Sequence, residues 1–157
     1  MKVQNGCCFV NEYNAFLDDL LKGNIDAFTH KLKDYLETSA SFFATGPKNA
    51  ELFYSGFVMG LVSAVSSNYS VEAERESGAG RADLLLIPTS TARYQNALVI
   101  EFKFAKSDEN LHLLAEKALE QIELKNYVAK IKAYKNVAST FKVGIAFGGK
   151  DVVVAFK

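Results

Sequence analysis

The sequence predicts a single domain of the α/β or α+β class, with elements in the order α-α-α-β-β-β-α-β-β. Two observations predict it. Apolar residues recur at helical spacing through the first third of the chain, and the middle changes to the two-residue period of strands. A length of 157 residues, 49% of them hydrophobic, suffices for one domain with a buried core. The formal net charge of +0 excludes a global attraction to polyanions.

Two helices are predicted near the N-terminus. The stretches "NEYNAFLDDLLKG" and "NIDAFTHKLKDYLE" both repeat apolar residues at three- and four-residue spacing. Gly23 suits the end of the first helix, and Asn24 suits the cap of the second. The two helices are expected to form a short hairpin, so residues 1–45 are interpreted as a helical extension of the main domain at 46–157.

A third, longer helix is predicted for "PKNAELFYSGFVMGLVSAVSS", with Pro47 in its first turn. Residues 52–65 are apolar on nearly all sides, so this helix is expected to be buried on most faces. Gly56 and Gly60 would then allow another backbone to approach it closely.

The remainder of the chain predicts strands around one more helical region. Three strands, "YSVEAERES", "RADLLLIP" and "NALVIEFKF", are separated by turn residues. "ENLHLLAEKALEQIELKNYVAKIKAY" is helical again, and "FKVGIAFGGKDVVVAFK" predicts two strands. Gly144, Gly149 and Lys150 have P-loop spacing, but Asp151 stands where Ser or Thr should bind magnesium. The stretch "GGKD" is therefore interpreted as a hairpin turn.

The two cysteines indicate the cellular compartment. Cys7 and Cys8 are adjacent and cannot join distant segments, which indicates thiols in a reducing environment. The N-terminus lacks the apolar core of a signal peptide, and the longest apolar stretch is shorter than the ~20 residues that span a bilayer. The sequence predicts a soluble cytoplasmic protein without a membrane segment.

The stretch "VIEFKF", residues 99–104, carries the first functional signal. Strand residues alternate between faces, so Glu101 and Lys103 share the face opposite Ile100 and Phe102. One interpretation is an exposed strand face with a structural ion pair. The other is a polar face that opens on a cleft, and the pair alone does not decide between them.

The preceding strand favours the second interpretation. Asp83 comes directly before the apolar run 84–87, where a carboxylate is costly unless it is paired or binds a metal. If the two strands form a hairpin, Asp83 and Glu101 can approach each other, and a divalent cation such as Mg²⁺ removes their repulsion. Lys103 beside that metal would orient or activate a water, or stabilise charge on a phosphate. These are the components of metal-assisted phosphodiester hydrolysis.

Glu51 and Gln121 are further candidates for the same site. Glu51, near the start of the apolar helix, could reach it as a third carboxylate, or simply favour the helix N-terminus through the dipole. Gln121 lies within the apolar stripe of the later helix. There it could orient water or substrate near Lys103, or occupy an edge position.

Three segments, "ESGAGRADLLLIP", "LVIEFKFAK" and "ALEQI", together resemble the PD-(D/E)XK nuclease superfamily. More narrowly, they resemble its bacterial branch, which is often found C-terminal to an AAA-ATPase-like domain. The resemblance runs from about Glu51 to Lys157. It implies a restriction-endonuclease-like αβββαβ core, with a mixed sheet flanked by helices, in agreement with the element order above. Ala82 stands where the family usually has a proline before Asp83. Because proline is not a metal ligand, this difference does not affect the implied metal site.

The resemblance also implies roles for six residues and a cofactor. The metal ligands would be Asp83 and Glu101, the catalytic residues Lys103, Glu51 and Gln121, and the substrate-binding residue Arg81. The implied cofactor is Mg²⁺ or Mn²⁺.

Three functional hypotheses follow. The leading one is a divalent-metal-dependent nuclease that hydrolyses phosphodiester bonds of DNA or RNA. The alternative is a catalytically silent nuclease-fold module that binds nucleic acid or a protein partner, because the net charge is neutral and no DNA-reading element is obvious. The third is a subunit that needs a partner, either an ATPase-containing protein or a second copy, because the helix at 52–65 is almost wholly apolar.

Overall fold

The computed structural model describes residues 6–38, 54, 56–57, 60–61, 63–76, 81–106, 108–125 and 127–157. The helices are α1 (Gly6–Lys22), α2 (Ile25–Thr38), α3 (Leu111–Leu124) and α4 (Tyr127–Ile131). The strands are β1 (Tyr69–Glu76), β2 (Arg81–Pro88), β3 (Asn96–Phe104), β4 (Ser139–Gly148) and β5 (Asp151–Phe156). The described residues between 54 and 65 are helical as well.

The five strands form one mixed sheet in the order β1-β2-β3-β4-β5. Strands β3 and β4 run parallel, and the other neighbours are antiparallel. A parallel pair needs a crossover connection, and α3 and α4 supply it between β3 and β4. The predicted class, a mixed sheet with helices in a restriction-endonuclease-like arrangement, is confirmed.

One side of the sheet, which we call the first face, packs against α1, α2 and the helical residues of 54–65. Its strand residues include Ile100 and Phe102, in agreement with the predicted alternation. Aromatic rings fill this core, and the Tyr54 ring stacks on that of Phe147 with centroids 4.5 Å apart. The Tyr54 hydroxyl donates to the Gly149 carbonyl at 2.7 Å, which ties this helical segment to the turn after β4.

The other side, which we call the second face, packs against α3 and α4. The buried residues of α3 are Ala115, Ala118, Leu119 and Ile122. Leu111 and Leu114, which the predicted apolar stripe also includes, are partly buried against the same core. The contact is close at Gly144 of β4, where a Cβ atom would lie 2.4 Å from the Ala115 carbonyl oxygen and 2.9 Å from Ala118 Cβ. Only glycine allows the helix backbone to come this near to the sheet.

The turn between α1 and α2 follows the sequence prediction. Gly23 has a φ of 82°, the left-handed conformation that ends many helices. Its N–H donates to the Leu20 carbonyl, and the N–H of Asn24 donates to the Asp19 carbonyl. The Asn24 carbonyl then accepts from the Phe28 N–H, the first hydrogen bond of α2. The predicted end of the first helix at Gly23 and the predicted start of the second after Asn24 are both confirmed.

At the described residues of the segment 52–65, two expectations are not met. Tyr54, Leu61 and Val65 are buried and Phe57 is partly buried, but four described residues between them are exposed: Gly56, Gly60, Ser63 and Ala64. Among the residues that the structure describes, no atom lies within 4 Å of a Cβ built at Gly56 or Gly60, so neither glycine is in close contact with another described backbone. The buried described residues of the segment, Tyr54, Leu61 and Val65, pack against the first face.

The later helical region is divided in two. Helix α3 ends at Leu124, and the backbone N–H of Lys125 still donates to the carbonyls of Gln121 and Glu123. At the other end, "GGKD" is a two-residue hairpin turn with Gly148 paired to Asp151, as predicted. In the part of the chain that the structure describes, no helix is long and apolar enough to cross a membrane.

Asp19 is a buried carboxylate near the end of α1, with only 4% of its surface exposed. Lys31 Nζ donates to its Oδ2 at 2.6 Å, and Lys22 Nζ lies 2.9 Å from its Oδ1. Burial alone would raise the pKa of Asp19, but the Lys31 and Lys22 ammonium groups outweigh burial and hold the pKa below its usual value. The ionised form therefore joins α1 to α2.

We predict that Gly144→Ala destabilises the protein by about 2 kcal/mol or more, because the new methyl group overlaps the backbone of α3. Gly60→Ala is the matched control: its site is helical and exposed, so alanine should stabilise by about 0.5–1 kcal/mol. Free energies of unfolding in urea measure both changes. Equal stabilities of Gly144→Ala and the wild type would contradict the close packing of α3.

We predict that Asp19→Asn lowers the free energy of unfolding at pH 7 by about 1 kcal/mol, because it removes both ion pairs with Lys22 and Lys31. The loss is no larger because the two lysine side chains can turn to solvent. The folded-state pKa is depressed, so this stabilisation is present above the unfolded pKa of about 3.9 and is lost as the pH falls through the folded value. Urea denaturation at pH 7 and near pH 3 should show the difference from wild type shrinking. A difference that grows on acidification would contradict the Asp19 ion pairs.

Candidate active site

Glu101 lies on the central strand β3 with 0% of its surface exposed. The alternation of the strand places it on the second face with Val99, beneath α3. The interpretation of an exposed strand face is therefore wrong, although an ion pair is present. A carboxylate removed from water is costly unless cations and hydrogen bonds surround it.

Lys103 supplies the first of these cations. Its Nζ lies 3.0 Å from Glu101 Oε1 and also donates a short hydrogen bond to Gln121 Oε1. The Lys103 side chain is 13% exposed, so the ammonium group reaches the edge of the buried region. Acceptors on two elements, β3 and α3, thus hold the one ammonium group. The structure brings Lys103, Glu101 and Gln121 together, as their spacing suggested.

Lys125 supplies a second cation, which the sequence analysis did not consider. Its Nζ lies 3.6 Å from Glu101 Oε2, and its side chain is 27% exposed. Lys125 follows Gln121 by four residues, which is one helical turn, so both project from the same side of α3. The four-residue spacing from Gln121 could have indicated that Lys125 reaches the same site. A lysine at a helix end is common, however, and does not by itself point to Glu101.

Asp83 lies on β2 directly across from Glu101, since the two are Cα partners in the antiparallel register. The predicted hairpin pairing is therefore present at the level of the backbone. Arg81 begins the same strand and is paired with Glu76. The structure describes only the backbone of Asp83 and Arg81, and Glu51 lies outside the described residues.

The position of α3 decides which side chains reach Glu101. Gly144 is the register partner of Glu101 across the parallel β3–β4 pair. Because α3 rests on Gly144, the helix passes directly beside the carboxylate. Gln121 and Lys125 therefore meet residues of β3, which is a consequence of one glycine on the neighbouring strand.

The oxygen atoms at this place suit a hard divalent cation. Mg²⁺ and Mn²⁺ prefer carboxylate ligands together with water and phosphate oxygens. Among the side chains that the structure describes, no group of three or more His, Cys, Asp or Glu could hold a metal ion. Glu101 offers one carboxylate, and the register places position 83 opposite it for a second. One described carboxylate, with position 83 paired opposite it, provides part of a ligand set for a divalent metal ion.

Comparison with known proteins identifies the family. A family model described as the PD-(D/E)XK nuclease superfamily matches residues 49–157. Searches of curated proteins and of solved structures gave no match. The matched region covers more than half of the chain and contains Asp83, Glu101, Lys103 and Gln121. The chain therefore belongs to the PD-(D/E)XK nuclease superfamily, whose members are generally nucleases that use divalent metals.

Proposed function

We propose that the protein is a Mg²⁺- or Mn²⁺-dependent nuclease that hydrolyses phosphodiester bonds of DNA or RNA. The observation that carries this proposal is the fully buried Glu101 in contact with Lys103, on a strand whose neighbour places Asp83 directly across from it. A carboxylate and a lysine held together in a sheet interior suit a reaction in which a metal and a cation act on one phosphate.

In this proposal Asp83 and Glu101 hold the metal ion. When bound, the ion would polarise a phosphate oxygen and lower the pKa of a bound water. Arg81 would bind the nucleic-acid backbone near the same strand, and Glu51 would be a further acid of the site. These roles come from the family resemblance, to which the geometry adds the pairing of positions 83 and 101.

Lys103 would act on the reacting phosphate or water. Among the described side chains, Glu101 and Gln121 accept from two of its three N–H donors, which leaves one for a phosphate oxygen or a water. Gln121 would act as a positioning residue, because its Oε1 fixes the direction of the ammonium group. Orientation by fixed hydrogen bonds lowers the reorganisation that the reaction requires.

A second candidate is a nuclease-fold module that binds nucleic acid or a protein partner without cleavage. The observation in its favour is that lysines lie near both oxygens of Glu101, Lys103 at 3.0 Å and Lys125 at 3.6 Å. Such a carboxylate could serve only as a buried structural ion pair. Isothermal titration with Mn²⁺ separates the two candidates, because a structural ion pair predicts no metal binding.

We further propose a cytoplasmic location, which the adjacent Cys7 and Cys8 favour. An ATPase-containing protein or a second copy of the chain is the proposed partner. Sedimentation at several protein concentrations tests self-association, and a concentration-independent monomer would argue against it.

We predict that purified protein cleaves DNA or RNA with Mg²⁺ or Mn²⁺ and loses cleavage in EDTA. Lys103→Ala and Asp83→Ala should each lower the rate by at least about 100-fold, because each removes a group that acts on the phosphate or holds the metal. Lys150→Ala, in the exposed β4–β5 turn, is the control and should cleave like wild type. Full activity of Asp83→Ala would overturn the mechanism.

We predict that Gln121→Leu lowers kcat by about tenfold with little change in KM. Lys103 keeps its charge but loses one of the two hydrogen-bond acceptors that orient its ammonium group. Glu120→Gln, the exposed neighbour on α3, should leave both constants unchanged. Steady-state kinetics on an oligonucleotide substrate measures the two variants. A rise in KM at constant kcat would show that Gln121 contacts substrate instead of positioning Lys103.

A further inference from the structure

Helix α3 carries a line of exposed residues on the side that is turned away from the sheet. We call this line the outer stripe, and its members are Leu113, Lys117, Glu120 and Leu124. They follow one another at spacings of four, three and four residues, so they lie on one face of the helix. Ala118 and Ile122, which α3 buries against the sheet, lie on the opposite face. The outer stripe is therefore the part of α3 farthest from the sheet.

The two ends of the outer stripe are apolar and exposed. The exposed fraction is 61% for Leu113 and 83% for Leu124, the two highest among the exposed large apolar residues that the structure describes. Both side chains would gain free energy by leaving water for an apolar partner surface. Single exposed leucines are ordinary, so the partner has to be identified from the pattern of all four residues.

That pattern is complementary to itself. When two copies of α3 lie antiparallel about a two-fold axis at the midpoint between positions 118 and 119, Leu113 of each copy faces Leu124 of the other. Lys117 of each copy then faces Glu120 of the other, so opposite charges meet in the middle of the contact. The spacing of four, three and four residues is also that of the a and d positions through which paired helices interlock. Both the apolar residues and the charges thus fit a second copy in one register.

We propose that the outer stripe of α3 binds the outer stripe of a second copy of the chain, with the two helices antiparallel. This inference deepens the second-copy partner proposed above and rests on it, but it does not require cleavage. The contact is closed by its two-fold symmetry, so assembly stops at a dimer. Each copy contributes a single helix face, and such a small contact forms a dimer only at high protein concentration.

The pairing leaves each candidate active site intact. Every residue assigned to the site belongs to one copy, so each copy keeps its own chemistry. Gln121 lies on a flank of α3, between the outer stripe and the buried face. A two-fold axis across an antiparallel helix pair brings the same flank of both helices to one side of the pair. The two sites therefore lie on the same side of the dimer, where one nucleic acid could reach both.

The test is sedimentation equilibrium of the full chain without metal, from about 10 µM to about 1 mM. The mass of wild type should rise with concentration toward that of two chains. Leu124→Ser should raise the Kd of the dimer at least about tenfold, because it removes an apolar side chain from each end of the contact. Its melting temperature at low concentration should match that of wild type, since Leu124 is exposed in the single copy.

Charge reversal tests the register. Lys117→Glu sets like charges opposite each other at two places and should raise the Kd at least about tenfold. The double variant Lys117→Glu/Glu120→Lys restores opposite charges across the contact and should dimerise like wild type. Lys33→Glu makes the same change of charge at an exposed position of α2, on the other side of the sheet. It is the control and should also dimerise like wild type.

The outcomes separate this inference from the rest of the proposed function. A wild type that stays monomeric throughout overturns the pairing and the second-copy partner together. A dimer of equal Kd in all variants overturns the pairing alone, because the copies then associate through another surface. If Leu124→Ser does not fold, the two charge variants decide the matter by themselves. Metal-dependent cleavage is assayed separately, and its absence in a protein that dimerises as expected counts against the nuclease proposal only.

Discussion

The burial of the Glu101 charge is the constraint on which the rest of the site depends. A carboxylate with 0% exposure on the central strand of a sheet must have cations within reach. Lys103 comes from the same strand, but Lys125 must come from another element. The fold meets this demand by laying α3 across β3 and β4, and Gly144 is what allows the helix to come close enough. Compensation of the Glu101 charge by Lys125 therefore depends on the close packing of α3 against Gly144.

The aromatic core on the first face supports β3 on the side opposite Glu101 and Lys103. Phe102 lies between Glu101 and Lys103 in sequence and points into the aromatic core, where its ring is parallel to that of Phe147. Tyr54 stacks on Phe147 and Phe104, so the C-terminal half of β3 is fixed on the side opposite the two charged residues. A site that needs a defined distance between a carboxylate and an ammonium group benefits from such a rigid support.

The sequence predicted much of this because the informative patterns were local. Two-residue alternation put Glu101 and Lys103 on one face, and helical spacing put Gln121 toward the core. The exposure of Gly56 and the closeness of α3 to Gly144 were not predictable in this way, because the neighbour of each glycine is fixed by tertiary packing. In the sequence, Gly144 was considered only as one of three residues with P-loop spacing. Lys125 was missed for the same reason, since its partner lies 24 positions earlier on another element.

The two lysines approach different oxygens of Glu101. A group that acts on a phosphate gains from a fixed direction, and Lys103 has two acceptors on two different elements to fix it. Lys125 Nζ lies 3.6 Å from the other oxygen, where its positive charge compensates the buried carboxylate. The carboxylate can therefore remain charged in the sheet interior, while the two acceptors keep Lys103 in the orientation that the proposed chemistry requires.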